Sequence, residues 1–120
     1  MPIFEVGQHN LTANNGWIVG HFIKDGARKT SDVEVKLAHH SQGPAGQGWS
    51  NCRTGITLSI LISGRFQIEF RNAPIDVVEM HTPGQYVIFG PEIPHRSTAL
   101  EDSLFLTVRW PSKDMDCRPV

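Results

Sequence analysis

Pro83 to His95 reads PGQYVIFGPEIPH, and this stretch has three parts. Its first two residues predict a type II turn, because proline sets φ and glycine accepts the left-handed conformation that follows. Gln85–Phe89 is rich in the branched and aromatic side chains that favour a strand. Gly90–Pro94 predicts a rigid loop, since proline cannot donate a ladder hydrogen bond. His95 then opens another strand, an arrangement typical of all-β proteins.

Strand patterns recur about every ten residues along the rest of the chain. In Ile56–Ile62, for example, apolar residues at every second position alternate with Thr57, Ser59 and Leu61. Ser63-Gly64 separates this run from Phe66–Phe70, which predicts a hairpin with Gly64 at positive φ. The glycine-containing segment 40–52 predicts a long irregular connection, where functional residues concentrate. The other predicted strands cover 16–24, 33–39, 75–80, 85–89, a strand from His95, and 103–110.

The composition supports the same class. Val, Ile and Thr outnumber Ala and Leu two to one, and 11 Gly and 8 Pro provide turns. The 120 residues are enough for one domain. The sequence therefore predicts a single all-β domain, a sandwich or small barrel, with its core over residues 16–111 and a polar surface tail over 112–120.

Charge and cysteine usage exclude several classes of function. Eleven Lys and Arg balance 12 Asp and Glu, and no basic run suggests a nucleic-acid partner. The N-terminus has no secretory pattern, and no stretch approaches the roughly 20 apolar residues of a membrane span. Cys52 and Cys117 form no Cys-x-x-Cys pair, so neither a disulfide framework nor a zinc-finger site is indicated. We therefore expect a cytoplasmic protein.

Pro83–His95 resembles the second conserved motif of the cupin superfamily. Gly84 takes the place of its turn glycine, Gln85 replaces the usual aspartate, and the closing Pro-His pair matches. Leu61–Phe70, LISGRFQIEF, resembles the end of the first cupin motif, with Gly64 as its glycine. The resemblance covers roughly residues 33–110. It implies a double-stranded β-helix (jelly roll) barrel with one open mouth, and a homodimer.

The resemblance also places the family's metal ligands on this sequence. Metal-binding cupins carry His-x-His followed by Glu in the first motif and one His in the second. Counted back from Gly64, the glutamate position falls on Thr57, and the histidine positions hold no histidine or carboxylate either. In the family the glutamate follows the second histidine by four or five residues. A spacing of five places the histidine pair on Ser50 and Cys52, and a spacing of four places it on Asn51 and Arg53. Only His95 remains of the four ligands, so the standard metal site is absent and no cofactor is favoured.

Four residues then become candidates for binding a small polar or anionic ligand. His95 could donate a hydrogen bond or exchange a proton near neutral pH. Arg53 could bind a carboxylate or phosphate through two parallel hydrogen bonds. Thr57 and Ser59 offer hydroxyls on one face of their strand.

One of the two neighbouring residues His39 and His40 is a further candidate. Neighbouring residues of a strand face opposite sides, so at most one of them enters the barrel from a strand. His39 is the favoured residue if the strand face that carries Val35 and Leu37 is the barrel interior. If the strand ends before His39, either His39 or His40 could turn inward from the loop.

Two other functions compete with ligand binding. The first is a metal-dependent cupin enzyme, an oxygenase or isomerase, that holds Zn, Fe, Mn or Ni. Its ligands would be His95, one of His39 and His40, and a third donor from Cys52, Asn51 or Glu92. The second is a protein-interaction module, for which an exposed apolar patch would be the sign.

Overall fold

The computed structural model describes residues 2–120, apart from the side chain of Gln47. About 49% of the chain is strand and 3% is helix, the latter a 3-10 turn at Ala13–Gly16. The strands are β1 (Trp17–Val19), β2 (Glu34–His40), β3 (Gly43–Cys52), β4 (Ile56–Ser63), β5 (Phe66–Phe70), β6 (Val77–Met80), β7 (Tyr86–Phe89), β8 (His95–Ala99), β9 (Ser103–Trp110) and β10 (Cys117–Pro119). No helix in the described part of the chain has the length and apolarity to cross a membrane.

The strands form two five-stranded antiparallel sheets. The first sheet has the order β1-β2-β9-β4-β7, and the second has the order β10-β3-β8-β5-β6. Strands that are distant in sequence therefore lie side by side, as in a jelly roll. The predicted all-β, double-sheet fold is confirmed.

A cluster of buried apolar side chains joins the two sheets at one end of the barrel. Phe66 of the second sheet stacks on Phe105 of the first, with ring centroids 4.1 Å apart. Leu61, Ile68 and Met80 pack around this pair and are almost fully buried. Burial of such a side chain contributes about 1.5–3 kcal/mol, so this end holds the sheets together.

The first sheet encloses its polar side. On β4, Thr57 and Ser59 are buried, whereas Ile60 is half-buried and Ile62 is 40% exposed. The paired positions of β2 and β9 follow the same alternation, whereas β7 places the apolar Val87 and Phe89 on the inner side, opposite Ser59 and Thr57. The apolar side chains that face away from the barrel are here called the outer apolar face. They are Val35, Leu37, Ile56, Leu58, Ile60, Ile62, Tyr86, Ile88, Leu104, Leu106, Val108 and Trp110.

The predicted hairpin at Ser63-Gly64 is wrong. The turn exists and Gly64 has φ +96° as expected, but β4 pairs with β7 and β9, whereas β5 pairs with β6 and β8. The chain therefore passes from one sheet to the other at this point. A side chain at Gly64 would collide with Ser103 Oγ and with the backbone around it, so the glycine permits a close approach of two segments.

The segment predicted as an irregular connection contains a strand. Gly43–Cys52 forms β3, which pairs with β8 and β10. Its register shifts between Ala45 and Ser50, and Gly46 and Gly48 in this interval have positive φ. Such an irregularity is a β-bulge, which glycine favours. The glycines therefore bend a strand here rather than ending it.

Most residues of the C-terminal tail are exposed, but part of the tail belongs to the second sheet. Residues 117–119 form β10 against β3. Ser112 and Asp116 are only 2% and 4% exposed, and the Ser112 hydroxyl accepts a hydrogen bond from the His21 N–H at 2.9 Å. Ordered structure therefore continues beyond the expected core boundary at residue 111.

Candidate functional site

A cavity of about 210 Å³ lies between the two sheets, beyond the apolar cluster. Its lining is unusually polar for a barrel interior. The polar side chains that line it are Lys36, His40, Ser50, Thr57, Ser59, His95, Arg96, Ser97, Thr107 and Arg109. The apolar cluster closes one end, with Phe66, Ile68 and Phe105 contributing to the lining.

A second, larger cavity of about 580 Å³ lies outside the barrel, beneath the N-terminal segment 3–10. Its two opposite charges, Glu5 and Arg28, bind each other at 2.9 Å. We take the barrel cavity as the candidate site because unpaired polar groups converge there.

Arg109 is fixed by a row of three directly paired residues. Glu34 of β2, Arg109 of β9 and Thr57 of β4 occupy opposite positions on adjacent strands. Arg109 donates from Nη1 to Glu34 Oε2 and from Nε to Thr57 Oγ1, both at 3.0 Å. A guanidinium has five N–H groups, so this pairing orients Arg109 and leaves donors for a ligand.

Lys36 lies in the next row, beside Thr107 and Ser59. Its ammonium lies 5.6 Å from the centroid of the Trp17 ring. It makes no hydrogen bond or ion pair with another described residue, because Glu34 binds Arg109 instead. Burial, and then the charge of Arg109, lower the pKa of Lys36. The cavity therefore contains a cation without a counter-ion.

His40 and His95 contribute imidazoles to the same cavity. Burial, followed by the charges of Lys36 and His39, lowers the pKa of His40 to about 4. Burial also lowers the pKa of His95, and Arg109 adds to this effect, whereas a hydrogen bond to the Ile93 carbonyl opposes it. Both rings are therefore neutral near pH 7.

The orientation of the His95 ring defines its free atom. Nδ1 lies 3.1 Å from the Ile93 carbonyl oxygen. A carbonyl only accepts, so Nδ1 carries the proton and Nε2 has a free lone pair. The Phe89 ring packs edge-on at 4.7 Å and helps to hold this orientation.

The structure brings together four of the six predicted ligand-binding residues. His40, Thr57, Ser59 and His95 line the cavity. His39 does not, because the interior face of β2 carries Glu34, Lys36, Ala38 and His40 rather than the apolar residues. His39 does share the face of Leu37, but that face points away from the barrel, so His40 is the histidine of this pair that lines the cavity.

Arg53 also lies away from the expected position. It is exposed in the loop between β3 and β4, where its N–H donates to the Asp116 carbonyl at 3.0 Å. The cations that line the cavity are Lys36 and Arg109, together with the exposed Arg96, which pairs with Glu69. Sequence reasoning missed all three. The sequence did carry a signal for Lys36 and Arg109, because each lies on the polar face of a strand, β2 or β9, whose other face is apolar.

The cysteines also need correction. Cys52 is buried and forms a disulfide with Cys117, its partner in the β3–β10 register. A thiolate of Cys52 is therefore not available beside His95. The disulfide also removes the argument from cysteine usage for a cytoplasmic protein.

The cavity donors do not fit a transition-metal centre. Within the described residues, the group of three or more candidate donors that converges is Cys52, Asp116 and Cys117. Its sulfurs are bonded to each other, and the Asp116 carboxylate accepts hydrogen bonds from the N–H groups of Thr54 and Gly55. The barrel instead offers two imidazoles beside two cations, which oppose a metal ion.

Two antiparallel sheets rolled around a polar cavity define a double-stranded β-helix protein. No family model matches the chain, and no curated protein matches it. Several solved structures, in contrast, match the chain. A Klebsiella pneumoniae protein of uncharacterised function with a double-stranded β-helix domain matches with TM-score 0.62 and 22% identity, over 76% of this chain and 72% of that one.

Two further solved structures are similar. A cupin superfamily protein of Desulfitobacterium hafniense matches with TM-score 0.58 and 14% identity, over 69% and 71% of the two chains. A chain from the structures of the DMSP lyases RdDddP and RnDddQII matches with TM-score 0.64 and 26% identity. The match covers 87% of this chain but only 51% of the lyase chain. This protein has the cupin superfamily fold.

Proposed function

We propose that this protein binds a small organic anion, a short carboxylate, inside the barrel without using a metal ion. The observation that carries the proposal is the Lys36 ammonium, which lines the cavity and has no counter-ion among the described residues. A buried charge without a partner is unfavourable. A bound carboxylate would supply the missing partner.

The charge balance of the cavity supports an anion. Three cations, Lys36, Arg96 and Arg109, line the cavity. Glu69 pairs with Arg96 and Glu34 pairs with Arg109, so two of the three positive charges are neutralised. His40 and His95 are neutral near pH 7, because burial lowers the pKa of each. One positive charge remains, which matches a monocarboxylate.

The size and hydroxyl groups of the cavity narrow the ligand class. At roughly 30 Å³ per water, 210 Å³ holds about seven water-sized groups. Ser59 and Thr107 can donate O–H groups to a carboxylate, and His95 Nε2 can accept from a ligand hydroxyl. These features support a carboxylate of about three to five carbons that carries a second polar group.

Calorimetry on the purified full chain tests the proposal, with pyruvate, lactate and inorganic phosphate as probes. We expect a short carboxylate to bind and Lys36→Met to weaken that binding by about tenfold or more, since a charge-assisted hydrogen bond contributes roughly 1.5–3 kcal/mol. Lys113→Met, which removes an exposed lysine, is the matched control. Equal affinity of wild type and Lys36→Met would remove the basis of the proposal.

We also propose that a second copy of the chain covers the outer apolar face. Tyr86 and Ile88 on this face are 63% and 53% exposed. The chain exposes 7572 Å², about 1,000 Å² more than the roughly 6,500 Å² expected of a monomer of 13.4 kDa. The exposed N-terminal residues Ile3, Phe4 and Val6 contribute part of this excess, and the outer apolar face contributes further exposed apolar area. A homodimer accounts for a sheet whose apolar side points outward.

A further inference from the structure

We propose that Lys36 is a reactive amine that forms a Schiff base with a 2-oxo acid bound in the barrel. The inference rests on the anion-binding function proposed above and assigns that site a ligand class and a covalent chemistry. It follows from where Lys36 lies and from what surrounds its ammonium.

Lys36 is the lysine that lines the barrel cavity. Lys29 donates to the carbonyl oxygens of His21 and Ile23 at 2.8 and 2.9 Å, so its ammonium is engaged in a surface loop. Lys24 and Lys113 are exposed to solvent. Lys36 instead lines a cavity that is open to solvent on one side, so a small ligand can enter it.

The surroundings of Lys36 make loss of the ammonium proton easier than it is for an exposed lysine. Arg109 projects from the same face of the adjacent strand, diagonally displaced, and both cations lie within 6 Å of the Trp17 ring centroid, at 5.6 and 5.8 Å. Glu34 pairs with Arg109, and His40 faces the same cavity as a neutral ring. Burial and the Arg109 charge lower the pKa of Lys36. Desolvation and a neighbouring cation are known means of activating a lysine nucleophile.

The two cations together select the chemical class of the ligand. Diagonal neighbours on adjacent strands are about 7–8 Å apart, and the long side chains of Lys36 and Arg109 can converge from there. A 2-oxo acid carries its carbonyl carbon next to its carboxylate. The carboxylate can bind the free N–H groups of Arg109 while the carbonyl carbon meets the Lys36 amine.

The reaction balances without an external oxidant or reductant. The lone pair of neutral Lys36 Nζ attacks the carbonyl carbon, and the carbonyl oxygen takes up a proton to give a carbinolamine. That oxygen then leaves as water, with the second proton coming from Nζ or solvent, and a C=N bond forms. The protonated imine carries the positive charge that the Lys36 ammonium held before it lost its proton, so the charge balance of the cavity is kept.

Reductive trapping tests the inference on the full chain. The protein is incubated with pyruvate and sodium cyanoborohydride near pH 7, and the product is analysed by intact mass and peptide mapping. We expect one reduced pyruvyl group on Lys36, in about tenfold or greater excess over each of Lys24, Lys29 and Lys113. This selectivity should fall as the pH approaches about 10, because exposed lysines then also become neutral.

A conservative variant separates this inference from the proposed function. Lys36→Arg keeps the cation but lacks a nucleophilic amine, so we expect it to bind pyruvate in calorimetry within a few-fold of wild type and to give no selective adduct. Lys24→Arg should trap pyruvate at Lys36 like wild type. If wild type binds pyruvate but its adducts are spread evenly over the lysines, the Schiff base is overturned and anion binding stands. If no carboxylate binds and no adduct forms, both proposals fail.

Discussion

Glu34 Oε2 lies 3.0 Å from Arg109 Nη1, and the two residues are directly opposite each other on β2 and β9. Both side chains are largely buried, at 8% and 13% exposure. This ion pair has two consequences. It holds Arg109 at the cavity, and it leaves Lys36 as the cation without a protein counter-ion.

Removal of Glu34 should destabilise the protein strongly. Glu34→Ala leaves a largely buried guanidinium unpaired, and loss of one partner of a buried pair lowers the free energy of unfolding by about 3 kcal/mol. The matched control is Glu5→Ala, because Glu5 binds Arg28 at the surface with 41% and 46% exposure. That change should lower the free energy by no more than about 1 kcal/mol. Urea unfolding measures both, and equal effects would contradict a structural role for the buried pair.

Anion binding should depend on Arg109 and not on Arg53. Arg109 lines the cavity, whereas Arg53 is exposed outside it. Arg109→Lys should weaken binding of a short carboxylate by about tenfold, since lysine cannot reproduce the fork of N–H donors. Arg53→Lys should leave the affinity unchanged. If Arg53→Lys lost more affinity for the carboxylate than Arg109→Lys in the same calorimetric assay, the anion would bind at Arg53 and not in the cavity.

Stability should fall below neutral pH because of His40. Burial holds the pKa of His40 near 4 in the folded protein, against about 6.5 in the unfolded chain. Between these values the unfolded chain binds the extra proton, so the free energy of unfolding decreases as the pH falls from about 6.5 to 4.

Replacing His40 should flatten this part of the pH profile. His40→Gln should make the fall smaller by on the order of 1–2 kcal/mol, allowing for solvent screening of a partly exposed ring. His81→Gln, at an exposed histidine, should leave the profile unchanged. Urea titrations at a series of pH values measure the slope, and parallel profiles for wild type and His40→Gln would refute the assignment.

Reduction should destabilise the domain through Cys52–Cys117. The bond closes a loop of 65 residues, for which chain entropy gives about 4 kcal/mol. A phosphine reductant should therefore lower the Tm of wild type and leave that of the Cys52→Ala/Cys117→Ala double variant unchanged. Free thiols in the wild type as purified, counted by mass spectrometry after alkylation, would show that the bond does not form.

A charge on the outer apolar face should separate the two copies. Ile88 lies on β7, the edge strand of the first sheet, and is 53% exposed. We expect Ile88→Asp to shift the protein from dimer to monomer in sedimentation velocity, because an interface core excludes unpaired charge. Val77→Asp is the matched control, since Val77 is 46% exposed on β6, the edge strand of the other sheet. A monomeric wild type would overturn the dimer.

Much of the fold could be predicted from local pattern. The strands at Ile56–Ile62, Phe66–Phe70 and Ser103–Trp110 were identified almost to the residue. The Pro83-Gly84 turn was also correct, with Gly84 at φ +93° and the Gln85 N–H donating to the Thr82 carbonyl at 3.0 Å. These features depend on neighbouring residues in the chain, so a single sequence carries their signal.

Features that depend on distant partners were missed. β3 is a strand because β8 and β10 pair with it, in spite of its glycines. β10 is a strand because Cys117 lies opposite Cys52. Local propensity cannot report a pairing partner more than 40 residues away, since the hydrogen bonds that define the strand come from that partner.

The alternation of side chains, read from the sequence alone, determined that strands such as β2, β4 and β9 each have one largely apolar and one largely polar face. It did not determine which face is enclosed. In the first sheet the polar face is inside, so Lys36, His40 and Arg109 define the site and His39 does not. Period-two alternation is symmetric with respect to the two sides of a sheet. Only the position of the opposing sheet, fixed by contacts across the whole chain, decides which side becomes the cavity.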